Sequence, residues 1–202
     1  MSKKQLLGSL CLVSLILLGL LTTTMFGESD AKPGVGGPGA SATAAYMKFE
    51  GLDGECQDKD HKGWSDIASF NHEIINPMIE GRMGNHQGKP ALGEILVTKE
   101  IDKSSPKLAE AICNGHAFPK VEIHLSEYFA GGTGSVVYYA YELKNVIITS
   151  YSVGGSTKGE EVPMEEFSLN FEEIKWTYME TDSKGVSEAV LEFTWNVEEA
   201  QP

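Results

Sequence analysis

Cysteine and positive charge are scarce in this chain. Of 202 residues, three are cysteine, 16 are lysine or arginine and 29 are aspartate or glutamate, giving a formal net charge of −13. A phosphate backbone is held by a basic footprint, so nucleic acid is excluded as a partner. The same acidity disfavours an anionic lipid surface, and its plain consequence is solubility. No C-x-x-C pair is present, which removes zinc-ribbon and thioredoxin-type sites. Cys11 falls in the N-terminal apolar run. Cys56 and Cys113 remain for the folded part, as two free thiols or as one disulfide in an oxidising compartment. No nucleophile elbow occurs. The one Gly-rich run is not followed by a Lys-Ser or Lys-Thr pair, so it is no phosphate cradle. Adjacent acids such as Glu160-Glu161 and Glu172-Glu173 point to opposite faces of a strand and make poor acid–base pairs. His61 and His72 with Cys56 match no zinc spacing. His72 shares parity with Phe70 and Ile74 and reads as a packed histidine. We expect no catalytic site, no metal site and no cofactor.

What is present begins with a leader. Lys3 and Lys4 precede a continuous apolar run from Leu6 to Leu21, the layout of a secretory signal. If the run extends through Met25 and Phe26, it approaches the roughly 20 residues of a membrane-spanning helix. Residues 1–26 are therefore read as a signal peptide or an N-terminal anchor, and the chain as secreted or extracytoplasmic (periplasmic), or held at the inner membrane by residues 6–26. The clearest small-x-small cleavage site, Ala42-Thr43-Ala44, lies far beyond the apolar run. Residues 27–43 are rich in Gly, Pro, Ala and Ser and bury too little apolar surface to order themselves, as in a flexible linker.

Residues 44–202 read as one domain. A domain of this size buries roughly two thirds of its unfolded surface, so it needs no staples. Its pattern has period two. Val121, Ile123 and Leu125 alternate with polar residues, as do Leu191, Phe193, Trp195 and Val197. Phe167, Leu169 and Phe171 share one parity, which flips to Ile174, Trp176 and Tyr178. The flip demands a bulge near Glu172–Glu173 or a strand that crosses between sheet layers. Further strands are expected at 45–49, 66–75, 92–101 and 136–152, the last long enough to bend or break. One helix is expected, with Ser105 as N-cap, Pro106 in the first turn, and Asn114-Gly115 as its stop. Many strands and one short helix suggest a closed or nearly closed barrel.

Five segments carry a resemblance. In order they are Gly54 to Asp58 with His61-Lys62-Gly63-Trp64 and Asp66-Ile67; Asp102 to Leu108; Asn145 to Ser150 with Gly154-Gly155-Ser156; Glu166 to Tyr178; and Asp182 to Glu198. Together they resemble the Hcp (haemolysin-coregulated protein) family over residues 45–198. The resemblance implies a mainly β fold, a two-sheet β-barrel with one short flanking α-helix. It implies a structural subunit that self-assembles into hexameric rings. Such rings stack into the inner tube of the type VI secretion machine, and effector proteins ride inside. The partners expected are copies of the chain itself and secreted effector proteins, with the membrane touched only through an uncleaved leader.

The family's excursion between its second and third strands helps rings stack. Its counterpart here is Pro77 to Lys89, giving Pro77, Met78, Glu80, Arg82, Met83, Asn85, His86 and Lys89 as stacking residues on a glycine-containing, adaptable loop. A ring subunit must also offer two complementary patches. His61, Trp64, Tyr138 and Tyr139 are the interface candidates, and Trp176 the core one. Family members carry no signal sequence, so the leader departs from the pattern. Three readings follow from it: an exported relative with a different role, an anchored subunit, or an extension from an upstream start. The alternative function is an exported monomeric β-barrel binding module, which requires a deep pocket with converging polar groups.

Overall fold

The computed structural model describes residues 42–81, 84–128, 135–156, 162–181 and 187–199. The leader, and the linker up to residue 41, lie outside these. The strands are β1 (Ala42–Phe49), β2 (Ser65–Asp66), β3 (Ser69–Asn71), β4 (Ile74–Ile75), β5 (Met78–Gly81), β6 (Gly84–Gln87), β7 (Ala91–Leu92) and β8 (Ile95–Glu100). After helix α1 (Ser105–Asn114) come β9 (Ala117–Tyr128), β10 (Ser135–Gly154), β11 (Met164–Asn170), β12 (Glu173–Thr181) and β13 (Ser187–Asn196). β1 begins two residues earlier than the expected domain start. Ala42, Thr43 and Ala44 pair with Tyr128, Glu127 and Ser126 of β9. Cleavage after Ala44 would strip those pairs from the sheet.

β10 organises the rest. Of its 20 residues, Ser135 to Ile147 pair with β9 along one side. On the other side the first half pairs with β12 (Tyr139–Lys144) and the second half with β11 (Ile147–Gly154). It bends rather than breaks. Asn145 takes a left-handed φ of 50°, a conformation Asn tolerates better than most side chains, and the register slips between Val137 and Tyr139 and between Ile148 and Ser150. The parity flip near Glu172 is resolved as the crossing between layers, not as a bulge. Phe171 and Glu172 lie between β11 and β12, with Glu172 donating its N–H to the Lys144 carbonyl at 3.1 Å. β11 continues to β8 and β3, while β12 continues to β13.

The strand ladder does not close directly. β1 and β8 are bridged by a strap, residues 65–71, whose β2 pairs with β1 and whose β3 pairs with β8. Between them Ile67 donates to the Ala45 carbonyl at 3.0 Å, and Ala68 to the Thr98 carbonyl at 2.8 Å. The expected single strand 66–75 is thus three short pieces. The core lies inside this wrap. It includes Met47, Phe49, Ile95, Val97, Val121, Ile123, Leu143, Phe167, Leu169 and Ile174, with Leu108 and Ala111 delivered by α1. Each large side chain so buried stabilises the fold by about 1.5–3 kcal/mol.

The helix start differs from expectation by one residue. Ser104, not Ser105, is the N-cap, and its side chain makes no cap bond. The Asp102 carboxylate takes the Ser104 N–H at 2.8 Å instead, and the Ser65 hydroxyl at 2.7 Å. At the other end Gly115 adopts the left-handed conformation, φ 68°, as Asn114-Gly115 implied. Asp102 belongs to a buried ionic cluster. Lys99, 1% exposed, lies 2.7 Å from Glu165 and 2.8 Å from Asp102, and Tyr151 donates to Glu165 at 2.7 Å. The cluster ties together the strap, β8, the helix start, β10 and β11. Burial alone would raise the Asp102 carboxyl, but the bonds from Lys99, Ser104 and Ser65 outweigh it and hold Asp102 below its ordinary value.

A buried ion pair is worth little against an apolar replacement, but half of one is costly. Lys99→Met is expected to lower stability by about 3–5 kcal/mol in urea unfolding, and Lys99→Met with Glu165→Leu to recover a large part of it. Equal losses in the single and double variants would contradict this account.

Candidate functional site

The ladder registers place apolar residues in three rows across one face of the sheet. The first is Phe49–Val121–Leu143–Ile174–Trp195, the second Met47–Ile123–Tyr141–Trp176–Phe193, and the third Ala45–Leu125–Tyr139–Tyr178–Leu191. Each row runs from β1 through β9, β10 and β12 to β13. The face is therefore apolar over five strands. Its cover is not as wide. Phe70 of the strap packs on Tyr141, with ring centres 5.6 Å apart, and His72 stacks on Trp176 at 6.2 Å. Beyond them the described residues give less cover: Tyr178 is 42% exposed, Phe193 50% and Leu191 67%. Phe193 stacks on Trp176 at 5.4 Å, so the exposed end is an ordered continuation of the core face. β13 pairs only with β12 among the described strands, and so also presents a sheet edge.

Tyr138 and Tyr139 lie near this surface. Tyr139 stands in the third row, half-buried, and Tyr138 occupies the slip between β10 and β9. Tyr138 lines a groove of about 360 Å³ with Ala45, Ile67, Ala68, Phe70 and Leu125. Trp176 packs in the face as the core candidate, and His72 is packed among Tyr141, Phe171 and Trp176.

His61 and Trp64 are elsewhere, on the opposite face. His61, a candidate for burial in core or interface, is 2% exposed within the subunit itself. Asp58 accepts from His61 Nδ1 at 2.9 Å, and His61 Nε2 meets His124 Nδ1 at 3.0 Å. The Tyr46 ring stacks on His61 at 4.1 Å, and Trp64 lies against His124 at 4.4 Å. Tyr128 donates to the second Asp58 oxygen at 3.2 Å and exchanges a bond with Tyr46 at 2.9 Å. The loop 50–64 is thereby pinned to β1 and β9. Gly54 allows this, since a Cβ there would stand 2.3 Å from Trp64 and Ser65. Trp64 itself is half-buried and keeps a surface.

In the segment expected to help rings stack, the described residues pair as short strands. β4 pairs with β7, and β5 with β6 through Met78–Gln87 and Glu80–Asn85. Pro77, Met78 and Lys89 are exposed. Glu80, Asn85 and His86 sit on the ladder, and Arg82 and Met83 lie outside the described residues. Cys56 is a buried free thiol and Cys113 an exposed one, with burial pushing Cys56 up to about 11.

No deep cleft of converging titratable groups appears among the described residues, whereas a broad apolar face does. A family described as "Type VI secretion system effector, Hcp" matches residues 46–178, and the chain belongs to this Hcp family. It is 29% identical over 158 residues to Protein hcp1 of Pseudomonas aeruginosa, covering 77% of this chain and 96% of that one. It is 26% identical over 163 residues to the Major exported protein of the same organism, covering 71% and 94%. Among solved structures, a type six secretion system protein superposes with a TM-score of 0.72 at 28% identity, covering 79% of this chain and 99% of that one. Hcp1 from Salmonella typhimurium shares the fold, with a TM-score of 0.62 at 20% identity over 78% and 96% of the two chains. The chain is a structural protein of type VI secretion, not an enzyme.

The Asp58–His61–His124 relay has room for one proton between its two imidazoles. Burial first, then the neighbouring His61, holds His124 down at about 4 against an ordinary 6.5. Between these values the unfolded chain binds a proton that the folded chain refuses, so stability falls as pH drops from 6.5 toward 4. His124→Gln is expected to flatten that part of the urea-midpoint profile. A profile parallel to the wild type would contradict the relay.

Proposed function

We propose that this chain is a ring subunit whose copies associate through the uncovered end of the β12–β13 face into hexamers. The observation that carries the reading is the mismatch between a five-strand apolar face and its narrower cover. Leu191, Phe193 and Tyr178 continue the core rows yet face water. Exposed apolar surface in a contiguous patch marks an interaction site, and an interface of ordinary size removes about 800 Å² per partner from water. The family relationship supports this kind of assembly. Rings stack through the segment Pro77 to Lys89, which carries exposed Met78 and is flanked by exposed Ile74 and Ile75. The stacked rings form a tube that carries secreted effector proteins.

Residues 1–26 export or anchor the subunit, and processing leaves β1 whole. The N-terminal residue of the mature protein is then Ala42 or one before it. Edman sequencing of the native protein is expected to read a start within residues 1–42, and a start at Ala45 would contradict it.

The ring is tested by light scattering on the full chain as the cell processes it, coupled to size exclusion and negative-stain imaging. The expected result is a mass six times that of the subunit and ring-shaped particles. A monomer across a wide concentration range would overturn the proposal and leave a family barrel that binds something else.

A further inference from the structure

The ionic cluster beside the start of α1 sets an amine against a carboxyl group in a dry site. Lys99 and Glu165 are direct cross-strand partners on β8 and β11. They are 1% and 0% exposed, and Lys99 Nζ stands 2.7 Å from Glu165 Oε1. That oxygen finds no hydrogen-bond donor in favourable geometry among the described residues. The nitrogen therefore touches the carboxyl group without being spent in a hydrogen bond to it. The other carboxyl oxygen, Oε2, accepts from the Tyr151 hydroxyl at 2.7 Å. Nζ also lies 2.8 Å from Asp102 Oδ1 and donates to the Glu100 carbonyl at 3.0 Å. A nucleophile, an electrophile, a second carboxylate and a hydroxyl donor thus meet at one buried point.

We infer that Lys99 and Glu165 condense after folding into an amide that ties β8 to β11. The freshly folded chain holds the ion pair described above. One ammonium proton passes from Lys99 to the Glu165 carboxylate, leaving a neutral amine and a neutral acid. The Nζ lone pair then attacks Cδ, and Asp102 takes the second proton from nitrogen as the C–N bond forms. Tyr151 supports the charge that develops on Oε2, as a preorganised donor does at a tetrahedral centre. Asp102 returns its proton to the departing hydroxyl, the C–O bond breaks, and one water leaves. Nothing is oxidised or reduced, and no co-reactant is needed. The fold supplies proximity, which is worth a large part of such a barrel-bound barrier. Asp102 suits the proton-carrying role. Burial pushes its carboxyl up, but the bonds from Lys99, Ser104 and Ser65 outweigh this and keep it a carboxylate. After condensation the Ser104 N–H and the Ser65 hydroxyl still hold it. The amide removes two charges from a site where charge is costly to bury. Cys56 and Cys113 are free, so no disulfide joins them. The amide closes a loop that contains α1, β9 and β10, and so constrains the unfolded chain as a crosslink does. None of this depends on the ring reading.

Mass spectrometry of the full chain, as the cell processes it, tests the bond. The folded protein is kept at neutral pH for several days, then denatured, reduced and weighed intact. The expected mass is that of the processed sequence less one water. Trypsin is expected to spare the bond after Lys99 and to release one branched peptide that joins Lys99 to Glu165. Lys99→Arg keeps the charge but offers no amine, and is expected to keep the full mass. Tyr151→Phe leaves all three ionic groups in place and is expected to slow the loss of water on the order of 10²-fold, the effect of removing one oxyanion donor. A wild-type chain that keeps its full mass and is cut after Lys99 would overturn the proposal, whatever the variants do. A branched peptide joining Lys99 to Asp102 would overturn Glu165 as the acceptor.

Discussion

A sheet face cannot be apolar over a greater width than its cover without leaving something for a partner to do. In this protein β1, β9, β10, β12 and β13 share one apolar face. The strap and its flanking residues cover it only as far as Tyr141 and Trp176. The long strand β10 creates the mismatch. It serves β11 with one half and β12 with the other, so the chain leaves one layer at Phe171–Glu172 and extends the face past the core it encloses. A shorter β10 could support a closed small barrel but not the β12–β13 extension.

Two polar clusters fix the parts that define this face. The Lys99–Glu165–Asp102 group holds the strap to β8, the helix start and β11. The Asp58–His61–His124 group holds the loop 50–64 to the reverse side of β1 and β9. Both are buried, and buried polar groups are worth more for the arrangement they impose than for net stability. The strap closes the ladder with few backbone bonds, so its position depends on such side-chain anchors. The groove beside it, which includes Ile67, Ala68 and Phe70, inherits that rigidity.

Much of this was legible in the sequence. Period-two alternation located β9 and β13, and the parity flip after Phe171 announced the change of layer. The family resemblance supplied the architecture. What stayed hidden depended on contacts between distant segments. His61 meets His124 and Tyr46 across long stretches of chain, so no local pattern marks it as buried. Lys99 follows Ile95 and Val97 on their own parity, and Glu165 precedes Phe167 and Leu169 in the same way. Those two ions in core positions were a readable signal of a buried pair. The exposure of Leu191 and Phe193 was not readable, because their alternation is that of any core strand and only the topology decides what lies above them.

The most direct measurement is hydroxyl-radical footprinting of the full chain at concentrations on either side of its dissociation. The account predicts that Tyr178, Leu191 and Phe193 lose reactivity on assembly. Val153, exposed at the far end of β10, is predicted to keep its own. Equal labelling of these three residues in assembled and dissociated protein would contradict the claim that another copy covers this face.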